Sequence, residues 1–335
     1  MLCTISILIP CYNEVRTIRG LLEAIAGQTC PLDRIEVVIA DGMSEDGTRQ
    51  AILRFGEQHP ELSIRIVDNP QRIIPAALNR GVAASSGNLV IRLDAHSVPR
   101  PDYVERCAEA LERTGAANVG GIWEIQASSP SWIARAIAAA AAHPLGAGDA
   151  RYRYSQEPGE VDTVPFGAFP REWLEKVGPF NEGLLTNEDY EYNVRIRQAG
   201  GKVWYDPAIR SIYYARGDLP SLAKQYARYG FWKSRMLLRY PSTLRWRQAL
   251  PPAFAAALLI LLAGLPFWRP AIWLLAGQLG AYCVIAGAVG IIEGVRRRYA
   301  GVAMGFPLAL ATMHLGWGFA FLWGLVTGIW AGEGK

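Results

Sequence analysis

The chain has 335 residues, of which 51% are hydrophobic and 19% are charged, and its formal net charge is +4. This length allows one sizeable domain with an appended segment, and the hydrophobic share exceeds that of a typical soluble chain. The 5 cysteines show no C-x-x-C or zinc-type spacing, and no nucleic-acid fold signature accompanies the small positive charge, so we expect neither a zinc or redox site nor a nucleic-acid partner.

The N-terminal part of the chain alternates between strand-like and helix-like segments. An alternation of this kind is typical of an α/β fold with parallel strands, helices on both faces and a ligand site at the carboxyl ends of the strands. The predicted segments, in chain order, are a strand at 4–9, a helix that begins near Asn13, strands at 35–40 and 62–67, a helix from Pro75 to Ser85, and a strand at 89–93.

Acidic residues stand at the ends of two predicted strands and before a later helix-like run. Asp41 ends the second strand and begins a glycine-rich turn, which allows a ligand to approach closely. Asp94 ends the fourth strand, and in an extended segment Asp94 and His96 share one face, so both can address one cation or one diphosphate. Glu188 and Asp189 follow an apolar stretch. Three loops that converge at one edge of a sheet predict a cation and diphosphate site.

Each of these features also has an ordinary structural explanation. The residues after Asp41 can form a simple turn in which Asp46 caps the next helix. The acids at 188 and 189 can stabilise a helix N-terminus without any further function. It is therefore the combination of the segments, in this order, that favours a functional interpretation.

Two segments allow more than one interpretation. The run Gln225-Tyr226-Ala227-Arg228-Tyr229 combines aromatic rings with an arginine. Such a run can stack on a sugar and bind phosphate, or it can form an aromatic and basic belt at a membrane interface. Residues 131–142 predict an apolar helix that lies either on a membrane surface or in a core.

Three C-terminal segments are long and apolar enough to cross a membrane: residues 250–268, 271–292 and 302–330. The alternative is three helices buried in a soluble core, but such helices usually show a polar stripe. Basic residues cluster before the first segment and again after the second, at Arg296-Arg297-Arg298. The positive-inside rule places both clusters in the cytoplasm, so we expect a multi-pass protein of the inner membrane with a cytoplasmic N-terminal domain and its C-terminus outside.

Taken in order, these segments resemble the inverting glycosyltransferases of family 2, whose catalytic domain has the GT-A fold. The resemblance covers about residues 1–235 and is most similar to the succinoglycan-type exopolysaccharide glucosyltransferases. The matching segments are Ile7–Glu14 for the family's P-x-Y-N-E, Asp41-Gly42 for D-D-G-S, Ala77–Gly81 for A-R-N-x-G, Asp94-Ala95-His96 for D-x-D, Glu188-Asp189 for E-D, and Gln225-x-x-Arg228-Tyr229 for Q-x-x-R-W.

The resemblance implies a UDP-hexose donor, with glucose as the expected sugar, and a polyprenyl-diphosphate-linked saccharide as acceptor. It also implies that Asp189 is the catalytic base, that Glu188 assists it, and that Asp94 and His96 bind a divalent cation, Mn²⁺ or Mg²⁺. The implied nucleotide-sugar site comprises Pro10, Tyr12, Glu14, Asp41, Asn79, Asp94, Gln225 and Arg228, and the implied acceptor pocket comprises Phe166, Gly167, Ala168 and Tyr229.

The same resemblance implies a GT-A domain over residues 1–215, interfacial helices over 216–248 and transmembrane helices over 249–335. His96 stands where the family has a second acid, and imidazole suits Mn²⁺ better than Mg²⁺. Tyr229 stands where the family has tryptophan and keeps an aromatic platform. One alternative is a processive polysaccharide synthase, which would need a homo-oligomer because three spans are few for extruding a polymer. The other is a catalytically silent membrane scaffold that binds nucleotide sugar.

Overall fold

The computed structural model describes residues 4–243 and 245–330. The chain forms two compact units. The first comprises the residues up to Glu124 together with Ser155–Tyr213, and the second comprises Ile125–Tyr154 together with the residues from Tyr214 onward. The chain therefore leaves the first unit at Ile125 and returns to it at Ser155. The domain limits at residues 215 and 248 stay predictions.

Strands of the described chain form one nine-stranded mixed sheet. In chain order they are β1 (Ile5–Cys11), β2 (Ile35–Asp41), β3 (Ser63–Asp68), β4 (Leu89–Arg92), β5 (Val98–Pro99), β6 (Asn118–Ala127), β7 (Gly159–Glu160), β8 (Ala168–Pro170) and β9 (Val203–Ala215). Their order across the sheet is β3-β2-β1-β4-β8-β6-β9-β5, and β7 pairs with β9 outside this path.

The parallel part of the predicted sheet is confirmed. Strand β1 pairs in parallel with β2 and β4, and β2 pairs in parallel with β3. Asp41 lies opposite both Cys11 and Asp68, so the carboxyl ends of these three strands meet at one edge. Strands β8 and β9 form antiparallel pairs that were not predicted: β8 pairs with β4 and β6, and β9 pairs with β5 and β7. Strand β8 thereby places the chain around residue 168 beside β4.

Helices cover this sheet and build the second unit. In chain order they are α1 (Ile18–Ala26), α2 (Thr48–Gln58), α3 (Ile74–Ala84), α4 (Tyr103–Thr114), α5 (Trp132–Ala141), α6 (Pro144–Ala147), α7 (Arg171–Val177), α8 (Glu188–Gln198), α9 (Leu219–Arg239), α10 (Trp246–Gly264), α11 (Pro270–Arg296) and α12 (Ala300–Trp330). Helix α1 shows why the sequence pattern was informative, because Ile18, Leu21, Leu22 and Ile25 recur at helical spacing and are all fully buried.

The second unit contains the three predicted apolar helices. Helices α10, α11 and α12 are each long and apolar enough to cross a membrane. Helix α12 packs closely against both α9 and α5. A side chain at Gly230 of α9 would collide with the carbonyl oxygen of Trp317, and a side chain at Gly305 would collide with Ala136 of α5. The small residues of these helices therefore allow their backbones to approach each other closely.

Glu36 joins the amino-terminal ends of the parallel strands. Its Oε1 atom accepts hydrogen bonds from Ser6 Oγ at 2.6 Å, from the Ser86 N–H at 2.5 Å and from the Gly87 N–H at 3.1 Å. Partial burial opposes the ionised form, but these hydrogen bonds lower the pKa of Glu36 below its ordinary value. One carboxylate therefore connects β1, β2 and the turn before β4.

Glu36→Gln should destabilise the protein, because the amide loses the charge that strengthens these hydrogen bonds. We expect a loss of about 1–2 kcal/mol at neutral pH, measured as a lower thermal unfolding midpoint of the full chain in detergent. A lowered native pKa contributes stability above the unfolded-state pKa, and this contribution is lost as the pH falls through the native value. The difference from wild type should therefore shrink in acid.

The matched control is Glu57→Gln on the exposed face of α2, which should leave the unfolding midpoint unchanged. A difference between Glu36→Gln and wild type that stays constant from neutral to acid pH would contradict the role given to the Glu36 carboxylate.

Candidate active site

The loops that follow β1 and β2 are bonded to each other. Asp41 is fully buried, and its carboxylate accepts hydrogen bonds from the Ser44 N–H at 3.1 Å and from Ser44 Oγ at 2.5 Å. Ser44 Oγ in turn accepts from the Asn13 N–H at 2.8 Å, and Asp46 Oδ2 accepts from the Val15 N–H at 3.1 Å. These bonds fix a rim at the carboxyl ends of the two strands.

Gly42 allows the ring of Tyr12 to pack against this rim. A Cβ atom at position 42 would lie 2.9 Å from Tyr12 Cδ2, so a larger residue would displace the ring. Tyr12 is 42% exposed, and the guanidinium of Arg72 lies 5.2 Å from its ring centroid. An exposed aromatic ring beside a cation is a suitable surface for a base or a phosphate group.

The chain turns directly after β4. Strand β4 ends at Arg92, and the N–H and Oγ of Ser97 both donate to the Asp94 carbonyl oxygen, at 2.9 and 2.7 Å. The prediction that Asp94 and His96 share one face of an extended segment is therefore wrong, because this segment is a turn. Asp94 contacts Arg92, whereas His96 Nδ1 lies 3.1 Å from Glu14 Oε1. The His96 contact joins the loop after β4 to the loop after β1.

The predicted acidic pair lies in the first turn of α8. Asn187 precedes the helix in the left-handed conformation, with φ of 67°, which asparagine adopts more readily than most residues. Glu188 is 4% exposed and Asp189 is half-buried. The Tyr190 N–H donates to Asp189 Oδ1 at 2.7 Å, and the Tyr190 hydroxyl donates to Asp162 Oδ2 at 2.8 Å. The turn that carries the acids is thus held on both sides.

One buried guanidinium connects the loop after β4 to this turn. Arg92 is 6% exposed, and its Nη2 lies 3.0 Å from Glu188 Oε1. Its Nε and Nη2 lie 3.3 and 3.2 Å from Asp94 Oδ1. The backbone N–H of Arg92 donates to the Gly167 carbonyl oxygen at 2.9 Å. Arg92 therefore contacts the D-x-D position, the E-D position and the predicted acceptor segment.

The acids around Arg92 share one positive charge. Burial raises the pKa of Glu188 to about 7, with Arg92 opposing the rise and Asp189 adding to it. Burial also raises the pKa of Asp189, again against Arg92, and water moderates this shift because Asp189 is half-buried. Burial disfavours the charged form of Arg92, but Asp94, Glu188 and Asp189 together raise its pKa, so the guanidinium stays charged. A carboxylate with a raised pKa is suited to accept a proton near neutral pH.

The predicted acceptor segment is hydrogen-bonded to the backbone of Arg92. Phe166 and Gly167 both have positive φ angles, 61° and 96°, and Ala168 begins β8, where it pairs with Ile91. A Cβ atom at Gly167 would lie 2.6 Å from the Phe169 ring, so only glycine fits there without displacement. This turn directs the Gly167 carbonyl oxygen to the Arg92 backbone.

Other predicted residues have contacts of their own. Asn79 donates from Nδ2 to the Phe180 carbonyl oxygen at 3.0 Å and to Glu182 Oε1 at 2.8 Å, and its Oδ1 accepts from the Phe180 N–H at 2.7 Å. These bonds tie α3 to the loop before α8. Pro10 lies within β1. Direct contact of either residue with a nucleotide stays a prediction.

The Q-x-x-R-Y segment lies on α9 in the second unit. Gln225 is buried and its Nε2 donates to the Tyr229 hydroxyl at 3.1 Å, whereas Arg228 is exposed. The Arg153 Nη1 donates to the Tyr226 hydroxyl at 3.3 Å. The segment is therefore ordered by its own side chains, and its role in binding a donor stays a prediction.

Sequence reasoning missed Arg92. The residue interrupts an apolar predicted strand, 89–93, and stands two positions before Asp94. A charge inside a buried strand needs a partner, because an unpaired buried charge is very costly. That signal was available from the sequence alone.

Comparison with known protein families identifies the family of this chain. The family model described as Glycosyl transferase family 2 matches residues 6–178, just over half of the chain. This chain belongs to glycosyltransferase family 2. The matched residues include Asp41, Asp94 and His96 but end before Glu188 and Asp189, so the assignment of the acidic pair rests on its position beside Arg92.

Relatives of this family 2 glycosyltransferase act in glycan biosynthesis. The Succinoglycan biosynthesis protein ExoA of Rhizobium meliloti (strain 1021) is 32% identical over 317 residues, which cover 94% of this chain and 93% of that protein. A Dolichyl N-acetyl-alpha-D-glucosaminyl phosphate 3-beta-D-2,3-diacetamido-2,3-dideoxy-beta-D-glucuronosyltransferase of Methanococcus voltae is 30% identical and covers 72% of this chain and 76% of that protein.

Solved structures of other glycosyltransferases share the fold. The mannosyltransferase PcManGT from Pyrobaculum calidifontis, in complex with GDP-Man and Mn²⁺, has a TM-score of 0.60 to this chain at 21% identity. The similarity covers 98% of this chain and 88% of that one. The GT-A fold followed by apolar helices that could span a membrane is therefore confirmed.

The carboxylate of Asp94 and the imidazole of His96 are ligand types that suit a divalent cation. Within residues 4–243 and 245–330, no group of three or more His, Cys, Asp and Glu side chains could hold a metal ion by itself. Arg92 contacts the Oδ1 atom of Asp94 in both of the hydrogen bonds between the two side chains, and the second carboxylate oxygen, Oδ2, takes part in neither. The Nδ1 of His96 faces the Glu14 carboxylate, a pairing that is common for metal-binding histidines.

Transfer by this enzyme should slow as the pH falls into the acid range, with the acidic pair supplying the base. The base must be ionised to accept a proton, and burial raises the pKa values of both Glu188 and Asp189. We expect kcat/KM, measured by release of the nucleotide, to decline on the acid side with a midpoint well above the ordinary carboxylate value of about 4. Circular dichroism at each pH would show that the protein stays folded. A rate that stays constant down to about pH 5 would contradict the raised pKa of the base.

Proposed function

We propose that this protein is a membrane-bound inverting hexosyltransferase that transfers a hexose, with glucose as the first candidate, from a UDP-sugar to a lipid-linked saccharide during exopolysaccharide biosynthesis. The observation that carries the proposal is the charged cluster formed by the buried Arg92 and Glu188 with the partly buried Asp94 and Asp189 in a family 2 catalytic domain. Similarity over nearly the full length to a succinoglycan biosynthesis protein supports the exopolysaccharide context.

The proposed reaction is a single displacement at the anomeric carbon. Asp189 takes the proton of the acceptor hydroxyl while that hydroxyl's oxygen bonds to the anomeric carbon from the face opposite the nucleotide. The bond between the anomeric carbon and the diphosphate oxygen breaks, and UDP leaves with the electron pair. Glu188 orients Asp189 or the acceptor. A general base typically contributes about 10²- to 10⁴-fold in rate.

Residues at the rim formed by the loops after β1 and β2 are proposed to bind the donor. Asp41, which is fully buried, would act on uridine indirectly by holding the turn with Ser44, and the ring of Tyr12 would stack beside the uridine. Asp94 and His96 would hold a divalent cation, Mn²⁺ or Mg²⁺, which neutralises charge on the leaving diphosphate when bound. Glu14 would orient His96.

The acceptor is proposed to be held in the membrane. Phe166, Gly167 and Ala168 would line its pocket, because this segment contacts Arg92 through the Gly167 carbonyl oxygen. Arg228 and Gln225 would bind phosphate groups, with Tyr229 as an aromatic platform. A polyprenyl-diphosphate-linked saccharide combines a diphosphate, a sugar and a lipid, and suits a catalytic domain joined to apolar helices. The alternative is a processive synthase acting as an oligomer.

The catalytic domain is proposed to lie on the cytoplasmic side of the inner membrane. Helix α10 follows the basic residues of α9, and α11 ends at Arg296, next to Arg297 and Arg298, so these two helices would cross outward and back. A third crossing by α12 would place the C-terminus outside. Helix α9 packs against α12, and Arg235 Nη2 of α9 donates to Thr327 Oγ1 of α12 at 3.1 Å. If α12 crosses the membrane, the part of α9 that lies beside it must therefore enter the bilayer as well.

Asp189→Asn should nearly abolish transfer and leave UDP binding within a few fold. The amide keeps the size of the side chain but cannot accept the acceptor's proton, so the loss should appear in kcat, by about 10²- to 10⁴-fold. The measurement is UDP release under saturating donor. Asp162→Asn is the matched control, because it also removes one carboxylate that contacts the first turn of α8. If Asp189→Asn retained transfer within about tenfold of wild type, Asp189 would not be the base.

Transfer should require a divalent cation, with Mn²⁺ at least as effective as Mg²⁺, because imidazole is a softer ligand than carboxylate. A chelator should stop UDP release, and added Mn²⁺ should restore it. His96→Asp should preserve activity and shift the preference toward Mg²⁺, whereas Asp94→Ala should lose activity under every metal. Full activity in excess chelator would remove the cation from the proposal and leave basic side chains to stabilise the leaving diphosphate.

Reporters of sidedness should find the loop at Trp268 outside the cytoplasm and the turn at Arg297 inside it. The basic clusters at the cytoplasmic ends of α10 and α11 favour this orientation. A reporter after Lys335 should be outside if α12 crosses the membrane. An inside signal at Lys335 would mean that α12 lies along the cytoplasmic face with α9, and an inside signal at Trp268 would contradict the orientation altogether.

A further inference from the structure

Arg92 is the contact point of three segments that the proposed reaction needs. Its guanidinium contacts Asp94 and Glu188, and its backbone N–H contacts Gly167. We propose that Arg92 is a positioning residue for sugar transfer, which fixes the Asp94 carboxylate and the first turn of α8 in a single arrangement. This inference rests on the proposed function, in which Asp94 lies on the donor side and Asp189 is the base.

The fold alone does not explain a charge at this position. The other residues of β4, Leu89, Val90 and Ile91, are buried and apolar. Burying an ion pair is often no more stabilising than burying apolar residues of similar size. Arg92 Nη1 is buried and has no hydrogen-bond partner within the part of the chain that the structure describes. A buried charge with an unpaired donor calls for an explanation other than packing, and a role in the site is one such explanation.

The geometry assigns a specific task to the guanidinium. Asp94 lies in the loop after β4 and Glu188 begins α8, so the two acids lie on different elements. The guanidinium of Arg92 contacts both of them. Without Arg92, three neighbouring acids would repel each other, and the loop and the helix turn would separate. The planar guanidinium holds both carboxylates at once through fixed donors, whereas an ammonium group is a point charge on a flexible stem.

Helix α8 supplies a second ion pair for comparison. Arg195 binds the buried Glu191 through two bonds of 2.9 and 3.0 Å, and it also donates to the carbonyl oxygens of Val177 and Pro179. This pair fastens α8 to the chain after α7. It has the same chemistry as the Arg92–Glu188 pair and lies on the same helix, so it controls for general loss of stability.

A double-mutant cycle tests the proposal in the full-length protein. The variants are Arg92→Gln, Glu188→Gln and the double variant, and the readouts are kcat for UDP release and the Kd for UDP. We expect Arg92→Gln to lower kcat by about 10²-fold with the Kd within about fivefold, because a misplaced group costs rate more than binding. Since Arg92 acts through Glu188, the double variant should lie within about threefold of Arg92→Gln.

Additive losses in the cycle, or Arg92→Gln with kcat within about threefold of wild type, would overturn the proposal. Arg92→Lys keeps the charge but not the planar fork, so it should recover only part of the loss in kcat. Full recovery in Arg92→Lys would show that the charge alone suffices and would contradict the task given to the planar guanidinium. In the control cycle, Arg195→Gln and Glu191→Gln should lower the unfolding midpoint and leave kcat within about threefold.

The outcome is distinct from the fate of the proposed function. A wild-type protein that transfers no sugar from any UDP-hexose would refute the function itself. An active wild type with an additive cycle would refute only the role of Arg92. If Arg92→Gln does not fold, Arg92→Lys and Glu188→Gln are measured instead. A positioning role requires that each of these two variants lowers kcat by a larger factor than it changes the Kd for UDP.

Discussion

The site depends on one buried guanidinium that faces three acids. Arg92 ends β4, and around it lie the carboxylate of Asp94 and the first turn of α8 with Glu188 and Asp189. The buried charge is stabilised only because the acids are there, and the acids can lie close together only because the charge is there. Burial raises the pKa values of the acidic pair, and the Arg92 charge opposes that rise. The same contacts hold the turn that carries the proposed base.

The sheet explains how distant parts of the sequence reach this point. Parallel pairing of β1, β2 and β4 brings the loops after Cys11, Asp41 and Arg92 to one edge, and direct bonds between the first two loops make the rim rigid. Antiparallel β8 then places Gly167 against Arg92. The donor rim, the acids and the proposed acceptor segment thus meet in a domain whose core is a continuous sheet. A preorganised arrangement of this kind costs little reorganisation when substrate binds.

The sequence predicted the parts of this arrangement that depend on local patterns. Apolar runs and helical spacing identified the first four strands and α1, because burial of one face imposes a period on the residues. The short strands β5, β7 and β8 were not predicted, since they have two or three residues each and no pattern of their own. The segment after Arg92 was predicted to be extended, but it is a turn. The two-residue spacing of Asp94 and His96 in the sequence does not distinguish an extended segment from a turn. The partner of Arg92 is 96 positions away, and no local pattern reveals a contact over that distance.

The second unit contains α10, α11 and α12, each of which is long and apolar enough to cross a membrane. A sugar-transfer site joined to such helices suits an acceptor that is itself held in the bilayer. The most direct test of the account is UDP release by the purified full-length protein from UDP-glucose and other UDP-hexoses, measured with and without a membrane lipid extract. The account predicts release from at least one UDP-hexose that increases strongly when the extract is present. No release from any UDP-hexose under either condition would contradict it and would favour a silent nucleotide-sugar-binding scaffold.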